Sequence, residues 1–342
     1  MAQKEMTGKP AVLKEVNIGL IRDALQRMGQ ATRVELCRET GISQPTINVL
    51  IKELTEKEIV CSLGMGDSGG GRRAEIYALN WKRNHCIAIA ADQSGFQYCV
   101  FDLAFQKEME GMCPRQDDRT CTEQLTQLLG TLLEQTKGVT AVAIGVPGAV
   151  SSTGRIFAIP QIPEWEQFEL KSYLEEKFDI DIVVANDINA VTMGYFQAQQ
   201  HAGNSVKELV YLHVGEKGLG AGILIDGKLH CGCNSFAGEV GYMQIAQDSI
   251  ESQLSHMRDE ERGNVLSKVI TNMICVLDPQ QIILGGRVTE EMAEQIGKAC
   301  QEALPLKNMP VFTRLSDSRD YYFGGLGTLG WELADHCIRL QQ

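Results

Sequence analysis

The sequence predicts an α/β protein in two parts, a small segment of three helices with a β-hairpin and a larger body of two α/β lobes. Three observations support this prediction. Residues 14–58 show the apolar spacing and capping residues of three short helices, and two strand-like runs joined by glycines follow them. From Cys86 onward, short apolar strands alternate with helices, and glycine turns stand at strand ends. A chain of 342 residues suits two or three ordinary domains.

The composition is that of an ordinary globular protein, with 44% hydrophobic and 22% charged residues. No stretch approaches the ~18 uncharged apolar residues of a membrane span, and the N-terminal stretch is too charged for a secretory signal. The eleven cysteines are scattered and mostly set among apolar neighbours, as expected of thiols in a reducing compartment. These features predict a cytoplasmic protein with no membrane partner.

Charge is distributed unevenly along the chain. Residues 1–80 hold eleven of the 32 Lys and Arg residues and ten of the 44 Asp and Glu residues, a net charge of +1, so the remaining 21 basic and 34 acidic residues give residues 81–342 a net charge of −13. An acidic body does not bind polyanions over its whole surface. Any contact with nucleic acid must therefore be local to the first segment.

The first helix is predicted over residues 14–28 and ends at Gly29. Thr32 and Glu35 form a capping-box pattern for a short second helix, because the Thr hydroxyl can accept from the Glu amide while the Glu carboxylate accepts from the Thr amide. Gly41 is the expected C-cap of that second helix. The apolar residues that share one face of the first helix are Ile18, Ile21, Leu25 and Met28.

A third helix is predicted over residues 44–58, with Ser43 as its N-cap and Pro45 in its first turn. Its inward-facing residues are Ile47, Leu50 and Leu54. Three short helices with a glycine-containing turn before the last form the helix-turn-helix arrangement, whose final helix reads bases in the major groove. A helical bundle used for protein contacts has the same spacing and is the alternative.

A hairpin after the third helix favours DNA binding. Runs 58–65 and 74–80 are strand-like, and their glycine-rich connection carries two arginines, as in a wing that reaches phosphates or a narrow minor groove. Residues 1–80 are therefore interpreted as a winged helix-turn-helix domain with operator DNA as its partner. The predicted DNA-binding residues are Ser43, Gln44, Thr46, Asn48, Lys52, Arg72 and Arg73.

Residues 81–342 are predicted to form the two-lobed body, with one lobe over about 81–187 plus the C-terminal helix and the other over about 188–322. The strands of the first lobe are expected at 86–92, 96–103, 107–113, 139–146 and 179–185, with helices at 120–136 and 166–178. The rest of the body is expected to contain two strands within 208–229, a strand at 281–286, and helices near 260–276 and 289–303. The C-terminal helix is expected at 324–340.

Polar and glycine residues mark the carboxyl ends of these strands, where open α/β sheets bind their ligands. They are Asp92, Pro147-Gly148, Asn186-Asp187 and Gly285-Gly286. Asp187 has three possible roles at such an end. It could activate a substrate hydroxyl, hold a ligand without reacting, or cap the helix that follows.

The order of motifs resembles the ROK family (repressor, open reading frame, kinase) over nearly the whole chain. The stretches that carry the resemblance are AIGVPGAV with IPQIPEW, ANDINA, GLGAGILIDGKL with AGEVGY, and DPQQIILGGRV. The resemblance implies a two-lobed actin-like (ribonuclease H-like) sugar-kinase fold, which the family uses for kinases and for carbohydrate-responsive transcription factors.

The resemblance also implies a sugar site between the lobes. Asn186 and Asp187 match the family's sugar-hydroxyl ligands, and Asp187 occupies the position of the catalytic base in its kinases. Glu239 matches the sugar-binding Glu, while Gln161 stands where Asn is usual and Tyr242 where His is usual. We expect the Asp187 carboxylate, beside a helix N-terminus, to stay ionised.

Both phosphate-binding turns depart from those of the family's kinases. DQSGF replaces Asp-x-Gly-Gly-Thr, so that Ser94 stands for a glycine and Phe96 for the threonine. EKGLG replaces Gly-Thr-Gly-Ile-Gly and brings the Glu216 carboxylate toward the triphosphate, an unfavourable contact that Lys217 offsets only in part. The degraded nucleotide site comprises Asp92, Gly95, Glu216, Lys217, Gly218, Gly285 and Gly286.

No metal or other cofactor is predicted. In zinc-bearing members of the family the His at the position of Tyr242 is a metal ligand, and residues 243–262 here contain no cysteine. His230, Cys231 and Cys233 form a second candidate cluster. Its C-x-C needs two further ligands from elsewhere, so this stretch is interpreted as a loop.

These inferences predict a transcriptional regulator, expected to be a repressor of carbohydrate-metabolism genes, that acts as a homodimer or homotetramer. A small-molecule sugar would bind in the interlobe cleft, with Asp187 holding it instead of reacting, so the chain is not expected to be an enzyme. An active sugar kinase with an attached DNA-binding segment is the first alternative. A regulator whose cleft has lost sugar and responds to a partner protein is the second.

Overall fold

The computed structural model describes residues 10–66, 73–80, 84–102, 104–215, 218–245, 248–257 and 259–340. The chain divides into two compact units. One comprises residues up to His85 with the short segments Asp102–Ala104 and Ile338–Gln342, and the other comprises Cys86–Phe101 and Phe105–Cys337. Three of the predicted site residues, Arg72, Glu216 and Lys217, lie outside the described residues.

The first unit contains three helices and a small antiparallel sheet. The helices are α1 (Pro10–Met28), α2 (Arg33–Thr40) and α3 (Gln44–Glu56), and the strands are β1 (Ala31–Thr32), β2 (Val60–Met65) and β3 (Glu75–Leu79). The strand order is β1-β3-β2, with both neighbouring pairs antiparallel. The predicted three helices and hairpin are confirmed, and β1 adds an edge strand that the sequence did not indicate.

Two of the three capping signals predicted in the first unit are confirmed, and the third differs. The Thr32 hydroxyl accepts from the Glu35 amide at 3.3 Å, and the Glu35 carboxylate accepts from the Thr32 amide at 2.8 Å. Gly41 caps α2 in the left-handed conformation with φ of 70°. The Ser43 side chain makes no cap hydrogen bond to the backbone; instead its hydroxyl pairs with that of Thr46 at 2.9 Å.

The core of the first unit follows the predicted helix faces with one exception. Ile21, Leu25, Leu36, Ile47, Leu50, Ile51 and Leu54 are buried together. The assignment of Met28 to the inward face was wrong, because this side chain is 39% exposed. It is the last residue of α1, and the chain turns at Gly29, which has φ of 73°.

The second unit begins with a five-stranded sheet, the sheet of the first lobe. Its strands are β4 (His85–Asp92), β5 (Gly95–Asp102), β6 (Lys107–Pro114), β7 (Val139–Val146) and β10 (Ile182–Asn186), in the order β10-β7-β4-β5-β6. Two helices, α4 (Cys121–Gln135) and α5 (Leu170–Phe178), and a small hairpin, β8 (Ala149–Val150) with β9 (Ile156–Phe157), belong to this lobe. Strands β7 and β10 are parallel, so their carboxyl ends meet at one edge.

A second five-stranded sheet forms the other lobe. Its strands are β11 (Leu209–Val214), β12 (Leu219–Ile225), β13 (Lys228–Leu229), β16 (Gln281–Gly286) and β17 (Val311–Leu315), in the order β13-β12-β11-β16-β17. The remaining elements are a hairpin of β14 (Gln244–Ile245) with β15 (Asp248–Ser249), and the helices α7 (Ile250–His256), α8 (Asp259–Leu277) and α9 (Glu290–Ala303). Strand β17 and helix α7 were not predicted from the sequence.

Two helices lie between the sheets, α6 (Asp187–His201) and α10 (Arg319–Leu340). Ala190 of α6 packs with residues of the first sheet, whereas Val191 and Tyr195 pack with residues of the second. The two helices approach so closely that a Cβ on Gly194 or Gly325 would overlap backbone atoms of the other helix. Helix α6 therefore contacts both lobes, and its first residue, Asp187, follows directly on β10.

In the described part of the chain, no helix combines the length and the apolar character that crossing a bilayer requires.

Candidate functional site

The candidate site is centred on Asn186 and Asp187, where β10 ends and α6 begins. Asn186 is the N-cap of α6, since its Oδ1 accepts from the Asn189 amide at 3.0 Å. Its Nδ2 donates to the carbonyl oxygen of Gly148 and to Oδ1 of Asp187, both at 3.1 Å. One side chain thus fixes the start of α6, the turn after β7 and the neighbouring carboxylate.

The Asp187 carboxyl is not held ionised, and the expectation from the helix N-terminus is corrected. Its pKa is raised to about 7, mainly by burial and to a smaller extent by the Glu239 carboxylate, although the backbone amide of Ile188, which donates to Oδ1 at 2.8 Å, lowers it. Desolvation therefore outweighs the favourable end of the helix. At neutral pH this carboxyl can either accept or donate a hydrogen bond.

The Glu239 carboxyl of the second lobe raises the pKa of Asp187 electrostatically. It precedes a single 3₁₀ turn, Val240–Tyr242. Burial raises the pKa of Glu239, and a second carboxylate, Glu251 in the first turn of α7, raises it further. Glu251 was missed in the sequence, because only the tertiary packing of α7 brings it to this edge.

Tyr242 and Gln161 remain outside the hydrogen-bonded centre. Tyr242 is 56% exposed, and its ring packs at 5.3 Å from that of Phe236. Gln161 is exposed in the loop before a 3₁₀ turn, Pro163–Trp165. In the described structure no hydrogen bond joins either side chain to Asn186, Asp187 or Glu239. Both stay predicted sugar contacts.

In the first altered phosphate turn, the residues that differ from the kinase motif make local structural contacts. Asp92 Oδ1 accepts from the amide and hydroxyl of Ser94 at 2.6 and 2.5 Å. Gly95 has φ of 134°, and a Cβ there would overlap the backbone of β6. Phe96 is fully buried, with its ring 6.2 Å from that of Trp165. The glycine thus serves strand pairing, and the Phe96 side chain points into the core.

The second altered turn is described at its two ends only. Gly215 donates its amide to the carbonyl oxygen of Gly218 at 2.8 Å. A Cβ at Gly218 would lie 4.0 Å from Oε1 of Glu251, so a carboxylate flanks this turn. Gly286 has φ of 75°, and a Cβ at Gly285 would overlap the Tyr211 hydroxyl. Both of these glycines satisfy local packing at the end of β16.

A polar cavity of about 410 Å³ lies between the hairpin after β8 and the loop after β13. Asn189 Nδ2 contacts Cys231 Sγ at 3.8 Å, in the same loop after β13 that lines this cavity. Its lining contains hydroxyl and amide side chains and one charged residue: Ser151, Ser152, Thr153, Arg155, Gln167, Asn234 and Ser235, with Phe157 and Cys233. The interlobe region therefore offers a polar surface suited to a hydroxylated ligand.

The residues present do not fit the zinc site that the resemblance to zinc-bearing members implies. Tyr242 replaces the ligating His. Within the described ranges, no group of three His, Cys, Asp or Glu side chains could hold a metal ion. No step is therefore assigned to zinc.

The predicted DNA-contacting face of α3 is exposed. Ser43, Gln44, Asn48 and Lys52 are exposed and Thr46 is half-buried, while the opposite face of the helix is core. Lys52 makes an exposed ion pair with Glu56 at 3.7 Å, and Arg73 is exposed at the start of the second hairpin strand. These residues stay predicted DNA contacts; Arg72 lies outside the described residues.

The two parts of the chain match two different families of known proteins. The family model described as ROK family matches residues 86–256, and the one described as winged helix-turn-helix DNA-binding matches residues 21–60. A xylose repressor of Caldicellulosiruptor bescii is 30% identical over 254 residues, which cover 70% of this chain and 61% of that repressor. The chain thus spans about three fifths of the length of the curated relatives it matches.

Two solved structures share the fold. A ROK family transcriptional regulator, described as a homologue of the E. coli MLC protein, has a TM-score of 0.72 at 18% identity and covers 94% of this chain and 97% of its own. The ROK hexokinase from Thermus thermophilus has a TM-score of 0.61 at 18% identity and covers 73% of this chain and 99% of its own. The predicted fold, a winged helix-turn-helix followed by a two-lobed sugar-kinase-like body, is confirmed.

Proposed function

We propose, from the premise that the chain belongs to the ROK family, that it is a DNA-binding transcriptional regulator of carbohydrate-metabolism genes, acting as a repressor. Its DNA-binding part is the winged helix-turn-helix, and its effector is a sugar or sugar derivative bound between the lobes. The observation that carries the proposal is the combination, in one chain, of an exposed recognition-helix face with an intact Asn186-Asp187 pair. A 30% identical relative is named as a xylose repressor, which supports the same assignment.

The sugar is held by side chains that belong to different elements. Asn186 and Asp187 present amide and carboxyl groups from the start of α6, and Glu239 presents a carboxyl from the second lobe. Because a bound sugar would bridge the lobes, it would favour one lobe arrangement over another. In a homodimer or homotetramer, that shift would change how paired winged helices meet the two half-sites of an operator. Tyr242 and Gln161 would supply outer contacts.

The nucleotide side supports a sensor over a kinase. Phosphoryl transfer requires a cradle that neutralises the phosphates as well as a base. Phe96 points into the core and offers no donor, and the Glu251 carboxylate flanks the turn at Gly218, where a triphosphate would meet like charge. Glu216 and Lys217, which the sequence places in the same turn, lie outside the described residues.

A sugar kinase is the second candidate, and one observation favours it. A base with a pKa of about 7 is well matched to proton abstraction near neutral pH, and Asp187 has that pKa. The ROK hexokinase match in fold is compatible with this alternative.

The experiment that tests the proposal uses the full chain and DNA selected by it from a random library. Binding to that DNA is measured by fluorescence anisotropy with D-xylose, D-glucose and N-acetylglucosamine added separately, and ATP turnover is measured with the same sugars. The proposal expects one sugar to weaken DNA binding without ATP turnover. Sugar-dependent ATP consumption that is lost in Asp187→Asn would instead support the kinase.

A further inference from the structure

Tyr322 on α10 presents a buried polar group that the sugar site described above does not use. Its hydroxyl is enclosed and has no hydrogen-bond partner among the described residues. Burying a donor without a partner is costly, so native proteins rarely keep one unless another state satisfies it. Tyr211, the comparable tyrosine of the second sheet, is satisfied, because its hydroxyl pairs with Nδ1 of His213 at 2.9 Å.

The position of this hydroxyl is fixed by a glycine on β7. A Cβ at Gly145 would lie 2.6 Å from ring atoms of Tyr322 and would overlap its hydroxyl. Gly145 pairs with Ala185 on β10, and the next pair along the ladder is Val146 with Asn186. The phenol tip therefore lies over the first sheet at the level where β7 and β10 end, one residue pair from Asn186.

Two carboxyl groups, at the ends of the strands on either side of β7, act on this tip electrostatically. Burial raises the pKa of Tyr322 well above its ordinary value, and the carboxylates of Asp187 and Asp92 raise it further. Those residues stand at the ends of β10 and β4, so the phenol is a neutral O–H donor placed between two acceptor-rich strand ends. The helix that carries it is held tightly, because Gly325 of α10 lies against the Ala190 carbonyl of α6.

We propose that Tyr322 is a specificity-determining residue of the sugar site, whose hydroxyl donates a hydrogen bond to the sugar hydroxyl that Asp187 holds. The inference rests on the proposed function and adds a residue to it. The bond forms in the sugar-bound arrangement of the lobes and gives the Tyr322 hydroxyl the partner that it lacks without sugar. It therefore gives the sugar a differential interaction with that arrangement, which is what an effector needs in order to shift a conformational equilibrium.

The test compares Tyr322→Phe with wild type in the full chain. Sugar binding is measured by calorimetry and by thermal shift with D-xylose, D-glucose and N-acetylglucosamine. For Tyr322→Phe we expect about tenfold weaker binding of the effector sugar, the cost of one buried hydrogen bond. We expect an unchanged or higher melting temperature without sugar, because the variant removes an unpaired hydroxyl and keeps the ring. Tyr321→Phe, the neighbouring residue on α10, serves as the matched control and should bind like wild type.

Monodeoxy analogues of the effector sugar identify the hydroxyl involved. The analogue that lacks this hydroxyl should bind wild type and Tyr322→Phe equally, whereas the other analogues should keep the tenfold difference. Equal binding of the intact sugar by wild type and Tyr322→Phe overturns the role of Tyr322 and leaves the proposed function standing. Absence of any sugar response in wild type overturns the proposed function and this role with it.

Discussion

The side chain of Asn186 donates a 3.1 Å hydrogen bond to the carbonyl oxygen of Gly148, and this bond joins the start of α6 to the turn after β7. The same side chain caps α6 and contacts the Asp187 carboxyl. Capping and ligand positioning are therefore not alternatives at this site. The cap holds Asp187 at the end of β10, where we propose that the sugar binds.

Replacing Asn186 should affect both stability and sugar binding, whereas removing an ordinary helix cap should affect stability alone. Asn186→Ala removes the cap and the Gly148 bond, and we expect a loss of about 1–2 kcal/mol in the free energy of unfolding together with loss of the sugar-induced thermal shift. Thr289→Ala, which removes the hydroxyl that caps α9 by accepting from the Met292 amide, is the matched control. It should cost similar stability and keep the sugar response. A normal sugar response in Asn186→Ala would contradict the assigned site.

The raised pKa of Asp187 predicts a particular pH dependence of stability. The folded state holds the proton up to pH of about 7, whereas the unfolded state releases it near the ordinary value of 3.8. Because the folded state then binds more protons, stability is highest below the unfolded pKa and falls as pH rises toward the folded pKa. The free energy of unfolding of wild type relative to Asp187→Asn should fall by about 3 kcal/mol between about pH 4 and pH 7, since each unit of pKa difference corresponds to about 1.4 kcal/mol. Urea titrations measure this difference, and a pH-independent gap would refute it.

Phe96 should behave as a core residue. Its side chain is fully buried against Trp165, so Phe96→Ala should lower the free energy of unfolding by about 3–5 kcal/mol. Tyr173→Ala, at an aromatic residue that is 37% exposed, should cost much less. Chemical denaturation of both variants makes the comparison. A small loss for Phe96→Ala would mean that this side chain is free to face the cleft.

The exposed face of α3 should set DNA affinity in two distinguishable ways. Lys52→Ala should weaken binding to all DNA sequences alike and reduce the salt dependence by about one unit of slope, because a phosphate contact is lost. Asn48→Ala should cost about 1–3 kcal/mol and relax the preference for one base. Lys171→Ala, at a partly exposed ion pair with Glu175 in the second unit, is the control and should change neither. Unchanged binding in both α3 variants would assign DNA contact to another surface.

Local signals in the sequence predicted local structure well. The Thr32–Glu35 capping box and the Gly41 cap depend on residues a few positions apart, so their pattern determines their geometry. The ends of β10 and β16 followed equally from apolar runs that stop at polar or glycine residues. The three helices and the hairpin of the first unit were predictable for the same reason.

Features that depend on tertiary packing were not predictable. Glu251 reaches the turn at Gly218 only because α7 folds back beside it, and its own sequence neighbours give no sign of that contact. The pKa of Asp187 was expected to follow the helix N-terminus, but burial is the larger effect. The sequence gives no sign that Gly145 must be a glycine, because the Tyr322 hydroxyl that lies against it comes from a distant helix.

The central claim is that the Asn186-Asp187 pair binds a sugar that controls DNA binding, and that the protein does not phosphorylate this sugar. The most direct measurement is the affinity of the full chain for its selected operator, titrated with the effector sugar, in wild type and Asp187→Asn, with ATP absent and then present. The account predicts that sugar weakens operator binding of wild type at least tenfold without ATP, and that Asp187→Asn is unresponsive. An operator affinity unaffected by every sugar, or sugar phosphorylation by wild type that Asp187→Asn abolishes, would contradict it.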